Sequence, residues 1–261
     1  MKLRLAVAVV GMAASVLQLV AQTPTTCSKI WIGREAEIEE ALRTTAIARI
    51  EDVPIGVTKP KRVFFEPGSP VASGGWKPLS PRLRKGFFES YKAEIAAYEL
   101  DKLLGLQMVP PYVERRIKGE LGALCLWAED VKGWNRKDPV SGPDPVAWEK
   151  QVIRMKLFDQ FIGNIDRNQG NLLYDHEYHL ILIDHSRAFT TVRNLKRMAA
   201  VSRVDREFWE RIEALTEEQL QTTLGPWLGR SEIRAVLARR DSMRAHIETL
   251  VAQRGQSVFV P

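Results

Sequence analysis

The sequence predicts an α+β chain of two lobes: a small antiparallel β-sheet lobe with one helix, followed by a mainly helical lobe. Three observations lead there. Short apolar, β-prone runs crowd the first half, at 44–50, 63–65, 71–79, 109–113 and 123–127. A single long helical pattern, 88–104, interrupts them and stops at Gly105. Beyond residue 145 the periodicity is helical, at 146–161, 208–214, 217–224 and 232–251. The chain has 261 residues and is 45% hydrophobic, enough to bury a sizeable core.

The N-terminus reads as a targeting segment. Lys2 and Arg4 precede an apolar run, 5–20, and Ala21-Gln22-Thr23-Pro24 follows. Residues 1–22 are therefore expected to export the chain (periplasmic or secreted) or to anchor it to a membrane. The run falls short of the ~20 residues of a usual spanning helix. Leu19 and Val20 are larger than an ideal cleavage site prefers, so an uncleaved anchor stays open, as does a mis-assigned start that leaves the domain cytoplasmic. Two cysteines, Cys27 and Cys125, make no disulfide framework. A Cys27–Cys125 bridge is open, and a buried Cys125 acting as a small apolar side chain is the favoured reading.

A charged helix, 35–43, opens the first lobe. Runs 44–50 and 63–65 then form a hairpin whose tip, 52–62, carries Gly56, Lys59, Lys61 and Arg62. Lys77 follows Trp76 in the next strand. In the long helix Glu94 shares a face with Tyr91 and Tyr98, which makes it the candidate partner of Lys77. Glu89, Glu99 and Asp101 are rivals. The strands at 109–113 and 123–127 complete the sheet. A linker, 129–134, begins with Glu129 and places the lobe boundary near Asp130, with lobes at 35–130 and 131–255. Thr216-Glu217-Glu218-Gln219 is a capping-box start. The last helix, studded with Arg and Glu, reads as a solvated face.

The densest chemistry lies between Gly163 and Phe189. Asp166 and Asn171 share one tight loop, and Asp184 ends the apolar run Leu180-Ile181-Leu182-Ile183. An acid can orient a hydroxyl and take its proton. An amide carbonyl and a second acid supply oxygen ligands for a hard cation. Taken alone, such pairs also build ordinary turns. Net charge is +6, without like-charge blocks or an aromatic-interleaved basic stripe, which points away from nucleic acid.

On these residues the chain resembles the atypical kinases: phosphatidylinositol 3-/4-kinase-like, HipA-like and secretory-pathway kinases. Asp166-Arg167-Asn168-Gln169-Gly170-Asn171 is similar to the Asp-Arg-His-x-x-Asn loop of lipid kinases, and Ile183-Asp184 to the start of their Ile-Asp-Phe-Gly. The segment from Glu94 through Leu103 to Val109-Pro110-Pro111 looks like their shared helix-to-strand passage. Around segments 89–106 and 180–189 the chain looks closest to a bacterial group. The resemblance implies a two-lobed protein-kinase-like fold and a Mg²⁺/ATP-dependent phosphotransferase. Lys77 would bind the α/β phosphates, Glu94 would fix Lys77, Asp166 would be the base or the acid that orients the hydroxyl, and Asn171 and Asp184 would hold Mg²⁺. The linker at Glu129 would line the nucleotide pocket. Departures are Asn168 in place of His, His185-Ser186-Arg187 in place of Phe-Gly, a hairpin without a Gly-x-Gly-x-x-Gly, and no long activation segment after Asp184. Arg187 either contacts phosphate or pairs with a local acid. The acceptor stays open among a protein hydroxyl, a lipid and a small molecule. A pseudokinase that binds nucleotide without transfer, or an envelope interaction module, is the competing expectation.

Overall fold

The computed structural model describes residues 29–54, 60–135, 142–193 and 201–260. The leader, Cys27, Gly56 and Lys59 lie outside these described residues. Five strands form one antiparallel sheet in the order β1 (Ile47–Asp52), β2 (Lys61–Phe65), β3 (Ser73–Lys77), β7 (Glu120–Leu126), β6 (Tyr112–Ile117). Helix α1 (Glu35–Thr44) covers one face, where Ile38 and Leu42 join Val63, Trp76, Val113 and Leu124 in a buried cluster. Lys61 and Arg62 stand in β2 rather than at a hairpin tip. Lys61 lies opposite Asp52, and the two side chains pair at 2.6 Å.

Between β3 and the long helix lies an unanticipated hairpin, β4 (Arg82–Arg84) and β5 (Phe87–Glu89). Its two-residue loop, Lys85-Gly86, has φ of 46° and 84°. Both values are left-handed, as the tight turn that matches strand twist requires. Phe88 and Glu89 therefore belong to a strand, not to the helix start expected from their spacing. Helix α2 (Tyr91–Leu104) begins where Ser90 accepts a hydrogen bond from the Lys92 backbone. It ends where Gly105 turns left-handed at φ 59°. Glu94, Ile95 and Tyr98 are buried on it.

Asp130, at φ 53°, turns the chain into the second lobe. There β8 (Lys132–Gly133), β9 (Leu172–Tyr174) and β10 (Leu180–Leu182) form a small sheet. Helix α3 (Pro145–Ile162) is the central helix, capped by the Asp144 carboxylate and closed by left-handed Gly163. Around it lie α4 (Arg206–Glu213), α5 (Glu217–Leu224), α6 (Arg230–Arg254) and a short parallel pair, β11 (Val204–Asp205) with β12 (Phe259–Val260). The capping box at Thr216 and Gln219 is formed. The larger core joins α2 to this lobe through Leu100, Leu104, Phe158, Phe161, Phe208 and Leu220. Among the described residues no helix is long and apolar enough to cross a membrane.

Candidate active site

Three elements converge where the lobes meet. Strand β3 delivers Lys77 from its last position, and the first turns of α2 deliver Glu94, which is fully buried. The β9–β10 hairpin delivers the rest. Leu172 pairs with Leu182, so Asn171 just before β9 and Asp184 just after β10 come out at the same open end. The Ile183 amide donates to the Asn171 carbonyl at 3.3 Å and holds that end together.

Lys77 Nζ stands 2.7 Å from Glu94 Oε1 and 2.9 Å from Asp184 Oδ1. Glu94 Oε2 accepts the His185 backbone amide at 2.7 Å, which ties α2 to the residue after Asp184. The Ser186 hydroxyl donates to Asp184 Oδ1 at 3.0 Å. Asp184 sits at φ 59°, in the left-handed region that aspartate enters more readily than most residues with a Cβ. Burial works against the Lys77 ammonium, yet the Glu94 and Asp184 carboxylates outweigh it and raise its pKa above the usual lysine value. Burial alone would raise Asp184, but Lys77 and the Ser186 hydroxyl bring its pKa down to about 2. Glu94 goes the other way, because its complete burial exceeds what Lys77 returns. Asp184 is thus ionised at neutral pH, the form in which a carboxylate can bind a hard cation.

Asp166 follows the end of α3, with its amide on Asn164 Oδ1 at 3.2 Å. Asn171 Nδ2 donates to the Asp166 carbonyl at 2.9 Å. That bond commits the amide nitrogen and leaves the carbonyl oxygen of the same group for a cation. Arg187 pairs with acids: Nη1 reaches Asp166 Oδ2 at 2.8 Å, and Nη2 reaches Glu89 Oε1 at 2.7 Å. Glu129 stands apart from Lys77. Its carboxylate takes Arg62 Nη2 and, at 3.4 Å, the Ser73 hydroxyl.

Two further residues organise the loop. The buried Arg167 grips both oxygens of Asp159 in the last turn of α3, each at 2.9 Å. It also donates to the Asn171 carbonyl at 3.0 Å, the Ile183 carbonyl at 2.8 Å and His185 Nε2 at 2.7 Å. One guanidinium therefore fixes the Asp166 loop against the strand that carries Asp184. His185, next to Asp184, has no exposure, and its ring lies edge-on to Phe158 at 6.2 Å. Burial and then Arg167 push its pKa well down, so it is neutral. Nε2 accepts from Arg167, which puts the ring proton on Nδ1.

Lys77, Glu94 and Asp184 thus converge below the sheet, in a two-lobed fold that is similar to those of solved kinases. The particular likenesses are to hydra Fam20 solved with a sugar (17% identity, TM-score 0.66, covering 85% of this chain and 91% of that one) and to the Golgi casein kinase with Mn/ADP bound (14%, 0.66, 85% and 77%). The Helicobacter pylori proinflammatory kinase CtkA is similar at 11% identity and TM-score 0.52, over 83% of this chain and 98% of that one. At these identities the likeness is one of fold. No protein-family model matches the sequence, and no curated protein matches it.

Proposed function

We propose that the chain is a Mg²⁺- and ATP-dependent phosphotransferase that moves the γ-phosphoryl group to a hydroxyl acceptor. The observation that carries this reading is the single ammonium of Lys77 held between a buried Glu94 and an ionised Asp184. Lys77, aimed by Glu94, binds the α/β phosphates. Asn171 and Asp184 hold Mg²⁺, which supplies charge neutralisation on the phosphate oxygens when bound. Asp166 orients the acceptor hydroxyl and takes its proton. The acceptor oxygen then forms a bond to the γ-phosphorus, the bond from that phosphorus to the β–γ bridging oxygen breaks, and ADP leaves with the electron pair. The first lobe, 35–130, contributes the nucleotide side, with the linker at Glu129 beside it. The second lobe, 131–255, contributes the loop and metal side. A solved neighbour holds Mn/ADP, which supports nucleotide and divalent-metal use by this fold. Residues 1–22 export or anchor the chain.

A second reading, a nucleotide-binding module without transfer, is favoured by one observation: Arg187 already occupies an oxygen of Asp166. Thermal unfolding of the full chain with and without Mg-ATP tests the nucleotide site common to both. Nucleotide at ~100 times its dissociation constant adds about 2.7 kcal/mol of stability. That increment requires Mg²⁺ and disappears in Asp184→Ala. An increment that survives in the variant removes the metal assignment.

A further inference from the structure

The contacts of Arg187 cross the lobes. Glu89, at the end of β5, is buried, and its Oε1 accepts both Arg187 Nε at 2.8 Å and Nη2 at 2.7 Å. The third guanidinium nitrogen, Nη1, donates to Asp166 Oδ2 at 2.8 Å. The Phe87 ring of the same strand lies 4.4 Å from the guanidinium carbon. The backbones are joined beside this contact, since the Ser90 amide donates to the Ser186 carbonyl at 3.0 Å. The fork is thus held by an acid and a ring from the first lobe and presents its remaining nitrogen to a carboxylate of the second. The other Asp166 oxygen, Oδ1, takes only the longer bond from Asn168 Nδ2 at 3.3 Å among the described contacts.

We propose that Glu89 and Arg187 are positioning residues for phosphotransfer: Glu89 aims Arg187, and Arg187 fixes the Asp166 carboxylate with Oδ1 turned to the acceptor hydroxyl. The proposal rests on the reading of Asp166 as the residue that receives the hydroxyl. An aspartate in a short loop rotates about two side-chain bonds, and a base works only within hydrogen-bond reach of its proton. A planar fork anchored at its far side removes that freedom, which a flexible ammonium would do less well. Phosphoryl transfer depends chiefly on placement and charge rather than on base strength, so a cation on the second oxygen is compatible with the role. The hairpin β4–β5 thereby becomes part of the acceptor side, and a displacement of Phe87–Glu89 is transmitted to Asp166.

The test uses the full chain, Mg-ATP and water as the acceptor, with the Mg-ATP dissociation constant measured for every variant. Arg187→Gln is expected to lower kcat about 100-fold, the size of a misplacement of roughly 1 Å, with the dissociation constant within twofold of wild type. Arg187→Lys recovers part of the rate, and Glu89→Gln loses about tenfold. Asp166→Asn/Arg187→Gln is no slower than Asp166→Asn alone, because Arg187 acts through Asp166. An Arg187→Gln rate equal to wild type overturns the proposal. So does a faster rate, which would make the pair a latch over Asp166, and so does an additive loss in the double variant, which would put Arg187 on the phosphate itself. In these cases Mg-ATP turnover by wild type leaves the phosphotransfer reading standing. A wild-type chain that never turns over Mg-ATP, bound or not, removes both.

Discussion

Replacing Lys77 with methionine leaves Glu94 and Asp184 facing each other without their cation. Glu94 is fully buried, and Lys77 is the only cation paired with its side chain at hydrogen-bond distance among the described residues. Removing one partner of a buried pair costs about 3–5 kcal/mol, because the other charge is left uncompensated. That cost depends on protonation. Burial already raises the Glu94 pKa against the opposing pull of Lys77, and losing Lys77 raises it further. A carboxyl whose folded pKa exceeds its unfolded value binds a proton more readily when folded. Its contribution therefore falls as pH rises from the unfolded pKa, about 4.3, through the folded one. Lys77→Met should cost about 3–5 kcal/mol at pH 8 and progressively less toward pH 5, with a slope of at most ~1.4 kcal/mol per pH unit. Urea unfolding of the full chain at pH 5, 6, 7 and 8 reads this directly. Lys77→Met/Glu94→Gln should lose the slope. An equal cost at pH 5 and pH 8 would refute the charge argument and leave a packing loss in its place.

Other outcomes follow from the same contacts. The fully buried Arg239 donates to the carbonyls of Phe161, Ile162, Thr190 and Val192, and burial lowers its pKa to about 10. Arg239→Met takes its donors from four carbonyls, of which Ile162 keeps the Phe189 amide at 2.8 Å, and should cost roughly 3–5 kcal/mol, read as a fall in Tm of about 10 °C. Arg167→Met frees the Asp166 loop from the strand before Asp184 and strands Asp159. It should destabilise by a similar amount, about 3–5 kcal/mol, and abolish the Mg-ATP increment in the same melting experiment. On acidification, wild type should lose the Asp184 contribution between about pH 4 and pH 2, because its folded pKa of about 2 lies below its unfolded value. Asp184→Asn should flatten that limb of the stability profile.

The two-lobed order was legible because each lobe carries its own period. β-rich runs gave the sheet, and the spacing of Tyr91, Glu94 and Tyr98 turned Glu94 inward, where it is buried against Lys77. Asn171 and Asp184 were legible as a pair because an apolar run stood between a loop and an acid, and antiparallel pairing of β9 with β10 did the rest. The β4–β5 hairpin was not. Phe88 and Glu89 abut the helix and run into its pattern, and the signal for the hairpin was the turn at Lys85-Gly86 ahead of them. Arginines were misread most. The last helix looked like a solvated face, yet Arg239 lies in the buried row of Ile233, Val236, Met243 and Ile247. A charge inside an apolar row was the available signal. Arg167 carried none, since its partners are carbonyls and an acid that only the folded chain assembles. The Arg187 partners, left open between phosphate and acid, are the acids Glu89 and Asp166.

The central claim is tested most directly by incubating the full chain with Mg²⁺ and ATP labelled at the γ-phosphate and following where the label goes, for wild type and for Asp166→Asn. The account predicts that wild type moves the phosphate to water or to an added hydroxyl acceptor. Asp166→Asn should bind Mg-ATP equally well and transfer it 10²–10⁴-fold more slowly, roughly the contribution of a positioned acid–base group. Equal rates in the two proteins, or bound nucleotide that wild type never turns over, would contradict it.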